Sequence, residues 1–589
     1  MSAVGARPDR YKWVALSNTT LGVLIATLDI SVVIISMPAI FRGIGLDPLA
    51  PANIGYLLWM ILGYLLVTAV LVVSLGRLGD MFGRVRMYNL GFAIFSVASV
   101  ALSLDPFHAR AGALWLIGWR VVQATGGAML MANSAAILTD AFPANQRGMA
   151  LGVNQITALA GQFLGLVAGG LLAAIDWRAV FWISVPFGVV GTIWSYRSLR
   201  ETGTRVKARV DWAGNLTFAL GAAFILAAMT YGIQPYGGHP TGWTNPLVLA
   251  GLIGGVVLLA VFVLVETRVA QPMFNLALFK IRAFAAGNIA ALLTATARGG
   301  LQFMLIIWLQ GVWLPLHGYS FEQTPLWAGI YLLPLTAGFL IAGPVSGVLS
   351  DRFGSRLFAT SGLLIVAGAF TGLMLIPVNF SYPEFALLIL VCGLGQGMFS
   401  APNTSSVMSS VAPADRGVAS GMRATCQNAG TSLSIGIFFS LMIAGLASAL
   451  PHTLTAGLAA QGVPAGTASQ VATLPPVSTL FAAFLGINPM QHLLGANVLT
   501  ALPAHNAATL TGHEYFPNLI SGPFHHGLVI VFSAAAIMAL VASAASALRG
   551  KRYMHDEPCG SGPAPDAAPD ALSTTDESTL ESDAAHAVA

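Results

Sequence analysis

Three charged side chains lie deep within apolar runs: Asp29 in "LGVLIATLDISVVIISMP", Arg120 in "LWLIGWRVVQATGGAML" and Arg298 in "AALLTATARGGLQFML". A charge in hydrocarbon costs about 2.5–3.5 kcal/mol at the centre of an inserted helix, and chains keep it where a proton, an ion or a polar solute must pass. Asp29 is the only acid well inside such a run, because Glu266 comes at the end of one. Burial favours a neutral carboxyl and a neighbouring guanidinium favours the carboxylate, so an aspartate that exchanges these surroundings can bind and release a proton. Asp29 is therefore the candidate proton site, with Arg120 beside it. The competing reading is a permanent ion pair, Asp29 with Arg120 or with Arg298, that ties helices together. One carboxylate cannot neutralise two arginines, so a positive charge is left for a substrate group or for backbone carbonyls. That argues against multivalent cationic substrates.

The elements that must hold these residues are membrane helices. Only 8% of the 589 residues are charged and 56% are hydrophobic, against about 25% charged in a soluble domain. Apolar runs recur between Trp13 and Leu548 at the ~20-residue length that crosses a bilayer core as a helix. Barrel strands would be short and alternating instead. The expected fold class is an all-α polytopic membrane protein with fourteen spans. The first run follows the short basic lead "MSAVGARPDRYKW" and is too long for the apolar region of a cleaved signal peptide, so it is expected to stay as the first span. Cys392, Cys426 and Cys559 lie far apart, and neither a disulfide framework, a metal site nor a cofactor is expected.

Lys and Arg gather at 77–86, 147, 197–209, 268–282, 352–356, 416–423 and 549–552, on one side of a fourteen-span chain, while Arg42, Arg110 and Arg178 fall on the other. The positive-inside rule then puts both termini in the cytoplasm. Between Arg423 and Arg549 there is no Lys or Arg, so residues 448–525 are expected as a long extracytoplasmic loop, with "VSTLFAAFLGINPMQHLL" as a short helix at the membrane surface. Its scattered histidines lack ligand spacing and read as solvated loop residues. The tail 549–589, acidic after Tyr553, is expected to be disordered.

The chain also repeats itself. "GRLGDMFGRVR" (76–86) recurs as "GVLSDRFGSR" (347–356), "PANQRGMALG" (143–152) as "PADRGVASG" (413–421), and "GAMLMAN" (127–133) more weakly as "GMFSAPN" (397–403), all at an offset near 270. Such a repeat predicts two homologous six-span halves, 13–198 and 284–548, related by an axis along the membrane normal. Residues 199–283 then form a linker with two inserted spans, after a cytoplasmic N-terminus at 1–12. The offset carries Asp29 to within a residue of Arg298. Counting ~1.5 Å per residue puts both at similar depth in the outer half of the core, so they are expected to face one cavity.

These motifs resemble the major facilitator superfamily, specifically its fourteen-helix drug:proton antiporter branch, over residues 13–548. Gly76, Asp80, Gly83 and Arg84 resemble the loop signature between the second and third helices, and Gly347, Asp351, Gly354 and Arg356 are its repeat. The resemblance implies a staple that holds the halves together in one conformation. "LDISVVIISMP" (28–38) resembles the first-helix signature, with Asp29 as its acid, and "RVVQATGGA" (120–128) the fourth-helix motif, with Arg120 and Gln123 in place. "DWRAVFWISVPFG" (176–188) and "VDWAG" (210–214) are also similar to this branch. Gly152, Gly161, Gly165, Gly169 and Gly170 follow the antiporter spacing in the fifth span and allow close helix packing. Leu166 stands where that signature has proline, which leaves antiport and symport both open.

The candidate cavity residues are Arg298, Gln123, Asn154, Gln155, Gln302, Gln396 and Asn403. Each can equally hydrogen-bond a neighbouring helix. Trp308 and Trp313 read as packing or interface anchors. No GxxxxGK[ST] loop is present, which argues against ATP as the drive. The expected function is a secondary transporter, not an enzyme, exporting a small amphipathic or organic molecule in exchange for protons across a bacterial inner membrane. Its partners would be substrate, protons and lipid, with no nucleic acid; the resemblance alone adds a periplasmic adaptor protein. Proton-coupled uptake on the same fold and a non-transporting receptor or sensor are the alternatives.

Overall fold

Fourteen helices among the described residues are long and apolar enough to cross a membrane. The structure is a computed structural model that describes residues 8–47, 50–201, 211–239, 241–269, 272, 274–412, 416–486 and 488–550. The acidic tail from Lys551 onward and the side chain of Asp351 lie outside the described residues. The first six spans are α1 (Pro8–Ile44), α2 (Pro51–Phe82), α3 (Arg84–Ser103), α4 (Ala109–Ala141), α5 (Ala144–Ile175) and α6 (Ser184–Ser198). Two further spans, α7 (Trp212–Gly232) and α8 (Pro246–Glu266), follow. The later group is α9 (Arg282–Trp308), α10 (Leu333–Phe353, led in by Thr324–Tyr331), α11 (Ser355–Leu375), α12 (Tyr382–Ser409), α13 (Arg416–Ala460) and, after four short helices, α18 (Tyr515–Ala547).

The sequence repeat is a repeat of packing. In the first group α1 lies on α5, α2 on α4, and α3 on α4 and α6; in the later group α9 lies on α13, α10 on α12, and α11 on α12 and α18. Each copy of the loop motif is a helix break at a glycine that only glycine adopts easily: Gly83 has φ 114° and Gly354 has φ 94°. Before each break, a Cβ on Gly76 would stand 3.6 Å from that of Ala132, and one on Gly347 3.6 Å from that of Ala401.

The glycine stripe of α5 brings backbone against backbone. A Cβ on Gly161 would stand 2.7 Å from the Leu24 carbonyl oxygen, and one on Gly169 2.8 Å from that of Val32. The Ser36 hydroxyl uses that approach to donate to the Gly169 carbonyl at 2.9 Å. Gly165 completes the stripe over α1, whereas Gly170 faces the backbone of Leu326 in the later group, and Gly152 borders open space. With Leu166 in place of proline, α5 runs unbroken from Ala144 to Ile175.

The segment expected as a long loop is almost wholly helical. α13 continues to Ala460, followed by α14 (Ala465–Ala472), α15 (Pro476–Phe484), α16 (Met490–Ala501) and α17 (Ala504–Thr511). The expected surface helix is instead an interior one, since every residue of α15 is buried. Seven of its nine residues are apolar, and its two hydroxyl residues, Ser478 and Thr479, are buried with them. Phe481 stacks on Phe439 of α13 with ring centroids 5.4 Å apart. The carbonyl of Ala483 lies where a Cβ on Gly311 would come within 3.1 Å.

Gly311 belongs to a π turn, Leu309–Trp313, that continues α9. Pro315 lacks the N–H that the regular ladder needs there, and local widening re-satisfies the freed carbonyls. Trp308 and Trp313 anchor the segment by packing: their indole N–H groups donate to the carbonyls of Val378 at 3.2 Å and Phe380 at 3.1 Å. Gln310 reaches the Ile35 carbonyl of α1 at 3.4 Å. One hydrophobic core unites Val32, Ile35 and Ile61 with Leu301, Leu305, Phe438 and Phe481. The two groups are thus joined at the end of the bundle remote from Gly83 and Gly354.

Candidate functional site

Asp29 stands where α1 crosses α4, the helix that carries Arg120 and, one turn on, Gln123. The guanidinium of Arg120 donates from Nη1 to Asp29 Oδ2 and, at 2.7 Å, to Gln123 Oε1. The Gln123 amide donates in turn to Asp29 Oδ1 at 2.9 Å and to Ser99 Oγ of α3 at 2.9 Å. Arg120 Nε points at the Met60 carbonyl of α2, 3.5 Å away, and the guanidinium carbon lies 4.3 Å from the centroid of the Tyr64 ring. The carboxylate therefore has both oxygens occupied, and the pair is closed off, with side-chain exposures of 1% for Asp29 and 2% for Arg120. A change in the α1–α4 contact would be needed to open this group to a proton. Ser99 and Tyr64 complete the group and were not singled out from the sequence. Nothing local distinguishes them from other polar residues of α2 and α3.

Arg298 is not part of this group. It makes no hydrogen bond or ion pair with another described residue, and it stays partly accessible rather than sealed. Gln302, one turn along the same face of α9, is also partly accessible and without such a partner. Asn154 accepts from the Ser134 hydroxyl at 3.3 Å, and Gln155 is partly accessible on α5. Gln396 and Asn403 are buried within helix contacts: Gln396 reaches Cys392 Sγ at 3.4 Å, and Asn403 donates to the Gly287 carbonyl of α9 at 3.2 Å while accepting from Arg549 Nη2.

Two further arginines stand within helix packing, Arg423 partly accessible and Arg549 buried. Arg423, assigned from the sequence to a cytoplasmic segment, sits within the first turns of α13, its Nε buried without a partner. Arg549, just past the end of α18, is 4% exposed.

At the loop motif two ion pairs are described, both within the first group, and Arg77 donates to the Pro272 carbonyl of the linker. Arg84 joins Asp80 at 2.7 Å and Asp140 at 2.6 Å, and the Arg86 amide donates to the Glu201 carboxylate at 3.0 Å. Arg356, in the second copy, is exposed.

The family model described as Major Facilitator Superfamily matches residues 19–233 and 208–435. The chain is 28% identical over 540 residues to the "Tetracenomycin C resistance and export protein" of Streptomyces glaucescens, covering 90% of each. It is 31% identical over 478 residues to the "Methyl viologen resistance protein SmvA" of Salmonella typhimurium, covering 79% of this chain and 90% of that one. It is 28% identical over 442 residues to the "Riboflavin transporter RibZ" of Clostridioides difficile, covering 74% and 90%.

Proposed function

The chain belongs to the Major Facilitator Superfamily, and on that premise we propose that it exports small organic molecules in exchange for protons, by alternating access of two six-helix halves. That it is a multi-pass membrane transporter of a small molecule, and not an enzyme, follows from the family. Export is supported by relatives named for resistance and export, while the riboflavin transporter leaves uptake as the rival direction. We place it in a bacterial inner membrane with both ends in the cytoplasm, on the strength of the Lys and Arg distribution, and take the halves as 13–198 and 284–548.

The observation that carries the reading is the sealed group of Asp29, Arg120, Gln123 and Ser99. In it the carboxylate of Asp29 on α1 has both oxygens held by donors from α4. In the proposed cycle the half that closes around Asp29 favours the carboxylate paired with Arg120. As the halves rock, a shift of α1 against α4 within the first half opens the pair, and the carboxyl takes a proton that it surrenders when the pair re-forms. Asp80, engaged with Arg84 in this state, would be freed to staple the halves in the other.

Purified protein in proteoliposomes with an imposed proton gradient tests this. Added substrate should drive proton movement opposite to its own, and Asp29→Asn should abolish that movement. An Asp29→Asn protein that still couples substrate to protons removes Asp29 from the mechanism, and proton flow in the same direction as substrate turns export into uptake.

A further inference from the structure

We infer that the transported molecule is an organic anion, whose carboxylate, sulfonate or phosphate group is received by Arg298 and Gln302 on α9; this rests on the transport reading above. The argument begins with charge. In the first half Asp29 and Arg120 neutralise one another inside a closed set of hydrogen bonds. In the second half Arg298 and Arg423 have no acidic partner among the described residues. The acids of that half stand at its ends: Glu322, Glu384 and Glu514 precede α10, α12 and α18 or lie in their first turn, Asp351 is beside the Gly354 turn, and Asp415 comes one residue before α13 in the sequence. A guanidinium keeps its proton in any protein environment, so it cannot escape burial by neutralising as a carboxyl can. A membrane helix that carries one without a counter-charge leaves that charge to be met by water or by a ligand.

Geometry selects the ligand. Arg298 keeps part of its side chain accessible, whereas Arg120 has been closed away. Gln302 follows one turn later on the same face, about 5–6 Å along the helix, so guanidinium and amide can donate together to one planar anion. Leu301 and Leu305, on the adjoining face, are wholly buried in the core that joins the halves. Arg298 and Gln302 are thus partly accessible polar residues beside that buried layer. Toward the Gly354 end, α13 lies beside α9, with Gly430 close to the Leu292 carbonyl: a Cβ there would be 2.7 Å away. Arg298 is six residues beyond that contact and Arg423 seven residues before it, which separates the two cations by roughly 20 Å along the bundle. Two unpaired guanidiniums at successive depths draw an anion inward, repel a cation and are indifferent to a neutral molecule of the same shape.

Matched probes test this on the full-length protein in nanodiscs, with no proton gradient. Naphthalene-2-sulfonate, its uncharged analogue naphthalene-2-sulfonamide and the dication methyl viologen are titrated, with binding read by tryptophan fluorescence and by thermal shift. The sulfonate should bind at least tenfold more tightly than the sulfonamide, and methyl viologen more weakly than either. Arg298→Gln should bring the sulfonate down to the level of the sulfonamide, because a charge-assisted hydrogen bond is worth about tenfold or more in affinity. Arg298→Lys should keep most of the preference. If Arg298→Gln does not fold, Gln302→Leu reads the same preference and should reduce it severalfold. Equal affinity for the two naphthalenes, tighter binding of methyl viologen, no binding of the sulfonate, or a preference unchanged in the folded Arg298→Gln or Gln302→Leu protein overturns the inference. Asp29→Asn should retain the anion preference, so loss of coupling there and loss of anion selection at Arg298 are separate failures.

Discussion

Replacing Asp29 by Asn leaves the Arg120 guanidinium in a site where both side chains are almost wholly enclosed, at 1% and 2% exposure. Asparagine keeps the shape but only one acceptor oxygen, so the counter-charge is lost and one of the two donors, Arg120 Nη1 or Gln123 Nε2, faces an NH2 group. Removing one partner of a buried pair costs about 3–5 kcal/mol. Here the Gln123 oxygen at 2.7 Å, the Met60 carbonyl at 3.5 Å and the Tyr64 ring at 4.3 Å still solvate the cation. They put the cost at the lower end, about 3 kcal/mol. With ~2–4 °C per kcal/mol, Asp29→Asn should lower the melting temperature by about 6–12 °C. Arg120→Gln should cost less, about 1–2 kcal/mol, because an orphaned carboxyl can take up a proton and a guanidinium cannot lose one. The double variant Asp29→Asn/Arg120→Gln places amides where the charges were and should recover at least half of the Asp29→Asn loss. The assay is thermal unfolding of all four proteins in nanodiscs by intrinsic fluorescence. A double variant as unstable as the two single losses added together would mean the pair is not coupled, and the sealed-pair argument would fail with it.

Three other outcomes are expected. Gly169→Val would place a Cβ 2.8 Å from the Val32 carbonyl oxygen and should cost about 1–3 kcal/mol by overpacking, whereas Gly152→Ala, which meets open space, should melt within a degree or two of the parent; comparing their melting temperatures checks the α1–α5 contact. In a background with Cys392, Cys426 and Cys559 replaced by Ser, Thr479→Cys in α15, 2% exposed, should resist a membrane-impermeant maleimide that labels Gln470→Cys in exposed α14; rapid labelling of both would return α15 to the surface. Burial raises the Asp105 carboxyl, in the turn between α3 and α4, above its usual range, against the pull of the Phe107 amide and Arg178. Folding therefore favours its protonated form: that contribution is complete below the unfolded value and is lost as pH rises through the folded one. Asp105→Asn should thus melt higher than the parent at neutral pH and converge with it in acid, as a pH series of melting curves would show.

Much of the architecture was legible in the amino-acid sequence, because its causes are local. Apolar runs long enough to span a bilayer marked the fourteen spans, and the Gly-Asp-Gly loops marked two helix breaks that both use a positive φ. The repeat at an offset near 270 announced two halves whose helices take the same neighbours. Asp29, Arg120 and Gln123 could be named together because Arg120 and Gln123 are one turn apart on one helix and Asp29 is the lone acid in another.

What depended on packing was not legible. The offset put Arg298 at the depth of Asp29 but said nothing of the rotation of α9. That rotation follows from Gly299 and Gly300, which let α9 close on α13: a Cβ on Gly299 would stand 3.2 Å from Thr431, and one on Gly300 would run into the Phe438 ring. Ser99 and Tyr64 join the buried pair only because α2, α3 and α4 converge there. A stretch between proline- and glycine-rich flanks became the buried helix α15 for a similar reason: its burial is decided by the surface of α13 and the π turn of α9 against which it fits. Length and hydrophobicity act residue by residue, so the sequence alone determined where the fourteen spans are. The direction in which a side chain faces is a joint property of all the helices packed around it, and only the tertiary structure decided that Asp29 is sealed while Arg298 stands unpaired.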